Sequence, residues 1–321
     1  MGFISTGSYL PPLVVGNSAL SGFVDTSDEW IAQRTGIEQR HVAIDEGVAE
    51  MGAKAAKLAL TSAGLDPQDI DLIILASITA DTVAPTAASY IQGMLGIKNA
   101  IAFDLAAACS GFVYSLSVAV AMIKAGLATN ALLIGAENFS KVLNYEDRGS
   151  CILFGDGSGA AIINKENIDK FKDFYLNASY DEKLSITLST SRPLAEFPPK
   201  REKSEPHLLG MDGKEVYKFA VVALEDCIKT LLERNNLTAD DIAYIVPHQA
   251  NMRIVQSVAK TMKIDLSKFY MNIRQVGNTS AASIPIALDH MNQEGLLKKG
   301  DKIILAGFGA GLTWGSVLVE I

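Results

Sequence analysis

The chain has 321 residues, 49% hydrophobic and 20% charged, enough for one large core or two packed halves. Its formal net charge of −8 excludes nucleic acid as a main partner, because phosphate binding needs a basic face. Three scattered cysteines (Cys109, Cys151, Cys227) and four histidines show no disulfide framework and no metal-ligand spacing, and no signal peptide or membrane-length apolar run is present. The expectation is a cytoplasmic protein with no metal and no membrane partner.

At the start, "MGFIST" fits the loose myristoylation pattern, but Phe3 and Ile4 read as the opening of a strand. "AGLDPQDIDLIILAS", residues 63–77, reads as helix end, acidic turn and buried strand. "DLAAACSGFVYSL", residues 104–116, then sets Cys109 between small residues and an apolar helical run. "NALLIGAE" and "GDGSGAAII" are further strands, closing a first half at about residue 165. Residues 166–214 are charged and proline-bearing without steady periodicity, which suggests a surface excursion near a substrate entrance or a solvated connector. A second half, 215–321, follows.

That second half repeats the first. "NNLTADDIAYIVPHQ" matches the segment ending at Ser77, with Leu65 on Leu237, Ile70 on Ile242 and Ile73 on Ile245 (237 − 65 = 172). "VGNTSAASIPIALDHMNQEG" aligns with the Cys109 segment when Gly126 is set on Gly295, which puts Cys109 on Asn278 (278 − 109 = 169). "DKIILAGF" and "LTWGSVLVE" supply the remaining strands. Strands alternating with helical patterns, written twice, predict an α/β protein of two pseudo-symmetric βα halves with largely buried sheets.

The repeat sends reactive groups to equivalent corners of the two halves. Cys109 sits at an expected helix N-terminus, where free N–H groups and the helix dipole favour thiolate; a buried structural cysteine is the alternative. His248 stands in "IVPHQAN" just after a strand, either catalytic or a satisfied core group, and Asn278 is either functional or a helix N-cap. "GFGAGLTWG", residues 307–315, is a glycine-rich turn that can aim an N–H at an oxyanion or cradle phosphate, though it lacks both nucleotide-binding spacings.

Together "AACSGF", "PHQAN", "GNTSAAS" and "GFGAGLTWG", with "DTSDEWIAQRTGIEQRH" near the start, resemble the signatures of β-ketoacyl-acyl carrier protein synthase III almost end to end. The resemblance implies the thiolase-like duplicated fold, with stacked mixed sheets and buried central helices. It implies that Cys109 takes an acyl group from acyl-CoA, and that His248 and Asn278 stabilise the enolate formed when malonyl-acyl carrier protein loses CO₂. The N–H groups of Cys109 and Ala310 form the implied oxyanion hole; the family often has glycine in place of Ala310, so alanine serves there only with negative φ. Implied CoA contacts are Trp30, Arg34, Arg148, Met211, Gly213 and Asn251. Implied carrier-protein contacts are Gln249, Ala250, Asn251, Met252, Arg253, Lys218 and Lys260.

The resemblance also implies a homodimer in which the Ala84 loop closes the partner's acyl pocket. Phenylalanine often stands at Ala84 in acetyl-restricted members, so the small side chain predicts tolerance of branched or longer primers. No cofactor is expected beyond the two substrates. The alternatives are a thiolase-fold acyltransferase or polyketide-type condensing enzyme of secondary metabolism, a cysteine amidase ordered Cys…His…Asn, and a scaffold without catalysis.

Overall fold

The structure, a computed structural model, describes residues 2–181, 187–188 and 209–321; within the expected excursion, 182–186 and 189–208 lie outside the described residues. The first half runs β1 (Ser5–Tyr9), β2 (Leu13–Gly16), α1 (Asn17–Leu20), α2 (Asp28–Thr35), β3 (Gln39–Val42), α3 (Val48–Ala63), β4 (Leu72–Ala76), α4 (Ala87–Met94), β5 (Ile101–Leu105), α5 (Gly111–Lys124), β6 (Asn130–Glu137), α6 (Arg148–Cys151) and β7 (Gly157–Asn164). After β8 (Phe171–Ala178) come α7 (Gly213–Arg234), β9 (Tyr244–Pro247), α8 (Met252–Met262), α9 (Ile273–Val276), α10 (Ser283–Gln293), β10 (Lys302–Gly309) and β11 (Thr313–Glu320).

Two mixed sheets carry the architecture, ordered β1-β7-β6-β4-β5 and β8-β11-β10-β9. In both, two antiparallel pairings are followed by a parallel one. The isolated parallel bridge Ile245–Phe269 occupies the place that β5 has in the first sheet. The thiolase-like duplication expected from the sequence is therefore present.

Strand side chains alternate between two dry faces, which is why the strands read as unbroken apolar runs. Leu72 and Ile74 point inward to a core shared with Phe112 and Leu116 of α5, Ile284 and Leu288 of α10, and Leu305 and Val317 of the other sheet. Ile73 and Leu75 point outward beneath α3 and α4. Ile304 and Leu318 do the same beneath α7 and α8. The helices α5 and α10 are thus buried between the sheets, and each is preceded by a turn that opens onto the inter-half seam.

The repeat register needs one correction. Ala108 (φ 45°) and Ser280 (φ 50°) are the left-handed residues that begin the short 3₁₀ turns leading into α5 and α10. They lie 172 apart (280 − 108), as do the starts of β4 and β9 (244 − 72) and of β6 and β10 (302 − 130). Cys109 therefore corresponds to Ala281, not to Asn278. The offset of 169 matched the helix ends instead: α5 has 14 residues and α10 has 11, a difference of 3.

Candidate active site

Cys109 sits on a bend that backbone conformation enforces. The chain leaves β5, turns through Ala108 in the left-handed region, which few non-glycine residues adopt, and enters the 3₁₀ turn Ala108–Ser110. Gly307 and Gly309 of β10 pack directly on this turn. A Cβ on Gly309 would stand 2.7 Å from the Cys109 N and 3.1 Å from its Cβ, so only glycine permits the approach. Ala310, next along, is not among the positive-φ residues, which meets the condition an alanine there must satisfy.

The thiol is dry. Its Sγ lies 3.2 Å from the Ser280 Oγ, and burial pushes its pKa up to about 12, reinforced by the charge of Glu137 and opposed by the Ser280 hydrogen bond. The expectation that the helix terminus leaves a ready thiolate is thus corrected: desolvation wins over the turn's donors.

His248 follows β9 directly, its N–H bonded to the Ala306 carbonyl at 2.7 Å. Its Nδ1 is 2.8 Å from the Ser283 Oγ, and its ring stands edge-on to Phe308 with centroids 5.1 Å apart. Burial lowers its pKa to about 3 against the raising effect of the Ser280 backbone, so the imidazole is neutral at physiological pH. In the tautomer with its proton on Nε2, Nδ1 accepts from the Ser283 hydroxyl.

Asn278 is fixed by both ends of its peptide, its N–H to the Leu153 carbonyl and its carbonyl to the Gly155 N–H. Its Oδ1 accepts from the Ser280 N–H at 2.9 Å, which leaves the Nδ2 donors for the cavity. It is not an N-cap of α10, whose cap is Ala282.

Cys109, His248, Asn278 and Ala310 line one cavity of about 100 Å³ walled by Phe139, Phe154 and Phe308. Met211, Gly213, Ala250 and Asn251 line its mouth. Gly213 and Asn251 also line an adjoining groove of about 940 Å³ that holds Trp30, Arg34, Arg148, Lys218 and Arg253. Local sequence explains the framing. Ser27 caps α2 by accepting from the Trp30 N–H, and Asn251 caps α8 by accepting from the Arg253 N–H at 2.9 Å.

Both guanidinium groups lie against the indole: Arg34 Cζ is 5.4 Å and Arg148 Cζ 4.7 Å from the Trp30 ring centroid. Arg148 reaches it from the long β6–β7 connection, which has 19 intervening residues (138–156) against 3 (310–312) between β10 and β11.

Residues 103–179 match the family described as 3-oxoacyl-[acyl-carrier-protein (ACP)] synthase III, and 232–321 match its C-terminal counterpart. A β-ketoacyl-[acyl-carrier-protein] synthase III of Clostridium tetani is 47% identical, over 99% of this chain and 97% of that one. The chain belongs to the β-ketoacyl-acyl carrier protein synthase III family. It is a condensing enzyme of the acyltransferase class. The crystal structure of the 3-oxoacyl-[acyl-carrier-protein] synthase III of Aquifex aeolicus superposes with a TM-score of 0.92 at 40% identity, covering 100% of this chain and 99% of that one. The enzyme from Pseudomonas aeruginosa gives 0.90 at 39%, covering 99% and 97%.

Within this synthase III framework, the carrier contacts need revision. Gln249 is only 1% exposed, and its Oε1 accepts from the Asn272 and Ile273 N–H groups at 2.8 Å each. It is a brace for α9 and presents nothing to a partner. Ala250 faces the cavity mouth, and Met252 packs on Gly36 at the end of α2. Arg253 and Lys260 are exposed on α8, whose Ile254, Val255, Val258 and Ala259 are buried. Lys218 is exposed on α7 and paired with Glu215 at 2.6 Å. Ala84 is exposed beside Val83 and does not line its own chain's cavity.

Sequence reasoning missed Ser280, Ser283 and Glu137. Ser280 was findable, since it stands 172 residues from Ala108 and shares its left-handed turn. No helix among the described residues is long and apolar enough to cross a membrane.

Proposed function

We propose that this chain condenses an acyl-CoA primer with malonyl-acyl carrier protein, releasing CO₂ and CoA and giving 3-oxoacyl-acyl carrier protein, the opening step of type II fatty acid synthesis. The observation that carries this reading is the convergence of Cys109, His248 and Asn278 on one narrow cavity that opens into the Trp30–Arg148 groove.

The chemistry follows from the groups. Cys109 attacks the thioester carbonyl, and the N–H groups of Cys109 and Ala310 receive the developing oxyanion. After CoA leaves, malonyl-acyl carrier protein enters with its thioester carbonyl between His248 Nε2–H and Asn278 Nδ2–H. Two neutral donors stabilise the enolate without transferring a proton to it, so its carbon remains free to attack acyl-Cys109.

CoA lies in the groove with its adenine at Trp30 and the Arg34 and Arg148 guanidiniums about it, while Met211, Gly213 and Asn251 flank the pantetheine arm. The carrier docks on the basic rim of Arg253, Lys260 and Lys218 beside Asn251 and Met252, complementary to an acidic partner. The enzyme works as a cytoplasmic homodimer without a cofactor. The Ala84 loop closes the partner's acyl pocket and leaves room for branched or longer primers.

The test is mass spectrometry of the Cys109 peptide after incubation with acetyl-, isobutyryl- and hexanoyl-CoA, followed by release of labelled CO₂ from malonyl-acyl carrier protein. Acyl mass on Cys109 with CO₂ release supports the reading. Acylation without CO₂ release refutes condensation, and strict acetyl preference refutes the Ala84 argument.

A further inference from the structure

Glu137 ends β6 wholly buried, with its carboxylate turned toward the Cys109 turn. Its two oxygens differ. Oε2 accepts from the Thr79 Oγ1 at 2.5 Å, the Thr79 N–H at 3.1 Å and the Ser77 Oγ at 3.2 Å. Thr79 Oγ1 also accepts from the Asn138 N–H, and Ser77 Oγ from the Thr79 N–H. The Thr79 and Ile78 N–H groups can only donate, so they hold Oε2 as an acceptor. Oε1 faces the Ser280 Oγ at 3.1 Å and takes only a long 3.4 Å share of the Ile78 N–H, and that same Oγ is 3.2 Å from the Cys109 Sγ.

A hydroxyl has one hydrogen, so Ser280 donates to one neighbour and accepts from the other. Two arrangements satisfy all three groups: thiol with carboxylate, or thiolate with carboxylic acid. They differ only by moving two protons one step along the line Sγ–Oγ–Oε1.

We infer that Ser280 is a catalytic hydroxyl and Glu137 a positioning residue behind it, which together take the Cys109 proton during acylation and return it during condensation. The inference rests on the reading of Cys109 as the acyl carrier.

The step balances. The Cys109 proton passes to Ser280 Oγ as the Ser280 proton passes to Glu137 Oε1. The sulfur then bonds to the acyl carbon, and CoA departs with the electron pair of the broken C–S bond, taking its proton from water. Glu137 stays protonated while the acyl-enzyme lasts. When the malonyl-derived carbanion displaces the acyl group, the freed Cys109 thiolate is reprotonated through Ser280, and Glu137 returns to carboxylate. A thiol held protonated by burial needs such an acceptor.

The titratable groups around this line, among the described residues, are Cys109 on the 3₁₀ turn before α5, Glu137 on β6, and His248 at the end of β9. The His248 Nδ1 is 2.8 Å from the Ser283 Oγ, and the ring is not hydrogen-bonded to Sγ. Burial raises the Glu137 carboxyl to about 7 against the pull of its donors. Above that pH one negative charge is shared between Glu137 and Cys109, so the thiolate population depends on the internal proton position and ceases to follow bulk pH.

The experiment is the pH profile of Cys109 alkylation by iodoacetamide, followed on the Cys109 peptide, in the full-length protein and in Glu137→Gln, Ser280→Gly and the double variant. Glycine suits the left-handed backbone at 280, and circular dichroism with thermal melts checks folding. The native enzyme should show log rate rising with unit slope to near pH 7 and then levelling. Glu137→Gln and Ser280→Gly should lose the break and keep rising, so each is about tenfold faster relative to the native enzyme per pH unit above it. The double variant should match the singles. A break that persists in folded Glu137→Gln, or variants that only melt earlier with profiles parallel to native, overturns the inference. Because the probe is not a substrate, failure of acylation by acyl-CoA is read separately.

Discussion

Replacing Gly309 with alanine tests whether the glycine turn sets the position of Cys109. The added Cβ would lie 2.7 Å from the Cys109 N, 3.1 Å from its Cβ and 3.2 Å from its Cα. Backbone does not yield as a flexible side chain does. Reaching the 3.0 Å floor needs a shift of 0.3 Å (3.0 − 2.7), and an ordinary 3.4 Å contact needs 0.7 Å (3.4 − 2.7). Scaled from about 100-fold per Å of misplacement, the acylation rate should fall roughly 4- to 25-fold. Overpacking at this buried site costs about 1–3 kcal/mol of stability. The assay is quenched-flow acylation of Cys109 by acetyl-CoA with intact-mass readout, beside a thermal melt. Gly16→Ala is the control, since a Cβ there meets nothing within 4 Å. Native acylation in a folded Gly309→Ala enzyme would refute the argument.

Asn278→Ala should leave Cys109 acylation within a few-fold of native and cut condensation by about 10²–10³-fold, measured as CO₂ release. Trp30→Ala removes the surface on which two guanidiniums rest and should raise KM for acyl-CoA about 5- to 30-fold with kcat nearly unchanged, read from steady-state kinetics. Arg253→Glu should raise KM for the carrier substrate while sparing Cys109 acylation, with the difference shrinking at high salt. His248 titrates at about 3 when folded and at its ordinary 6.5 when unfolded, so the unfolded chain binds the proton first. Stability from this group is lost as pH falls from 6.5 toward 3, and His248→Gln should flatten that part of the melting-temperature profile.

The sequence carried the architecture because duplication leaves local traces. Buried strands such as "LIILA" and "YIVP" recur at the same offset, and apolar runs on both strand faces require helices on both sides of each sheet. Cys109, His248 and Asn278 were legible for a related reason. Cys109 and His248 stand just after β5 and β9, and Asn278 just after α9, so that all three meet at one cavity in the seam between halves.

The repeat register was less legible. Glycine ends a helix wherever the helix ends, so Gly126 and Gly295 aligned two helices of unequal length and shifted the turn by three residues. The resemblance puts Gln249 among the carrier contacts, but which way an amide turns after a strand depends on what lies beneath, here the start of α9.

By itself the sequence determined the doubled α/β plan and singled out Cys109, His248 and Asn278, which line one cavity, because periodicity, small-residue turns and polar corners are properties of neighbouring residues. Only the tertiary structure decided the protonation of the thiol and the company it keeps. Desolvation is a property of every element that surrounds a group, and Ser280 lies 171 residues and Glu137 28 residues from Cys109 along the chain (280 − 109; 137 − 109), yet Ser280 touches its sulfur and Glu137 touches Ser280.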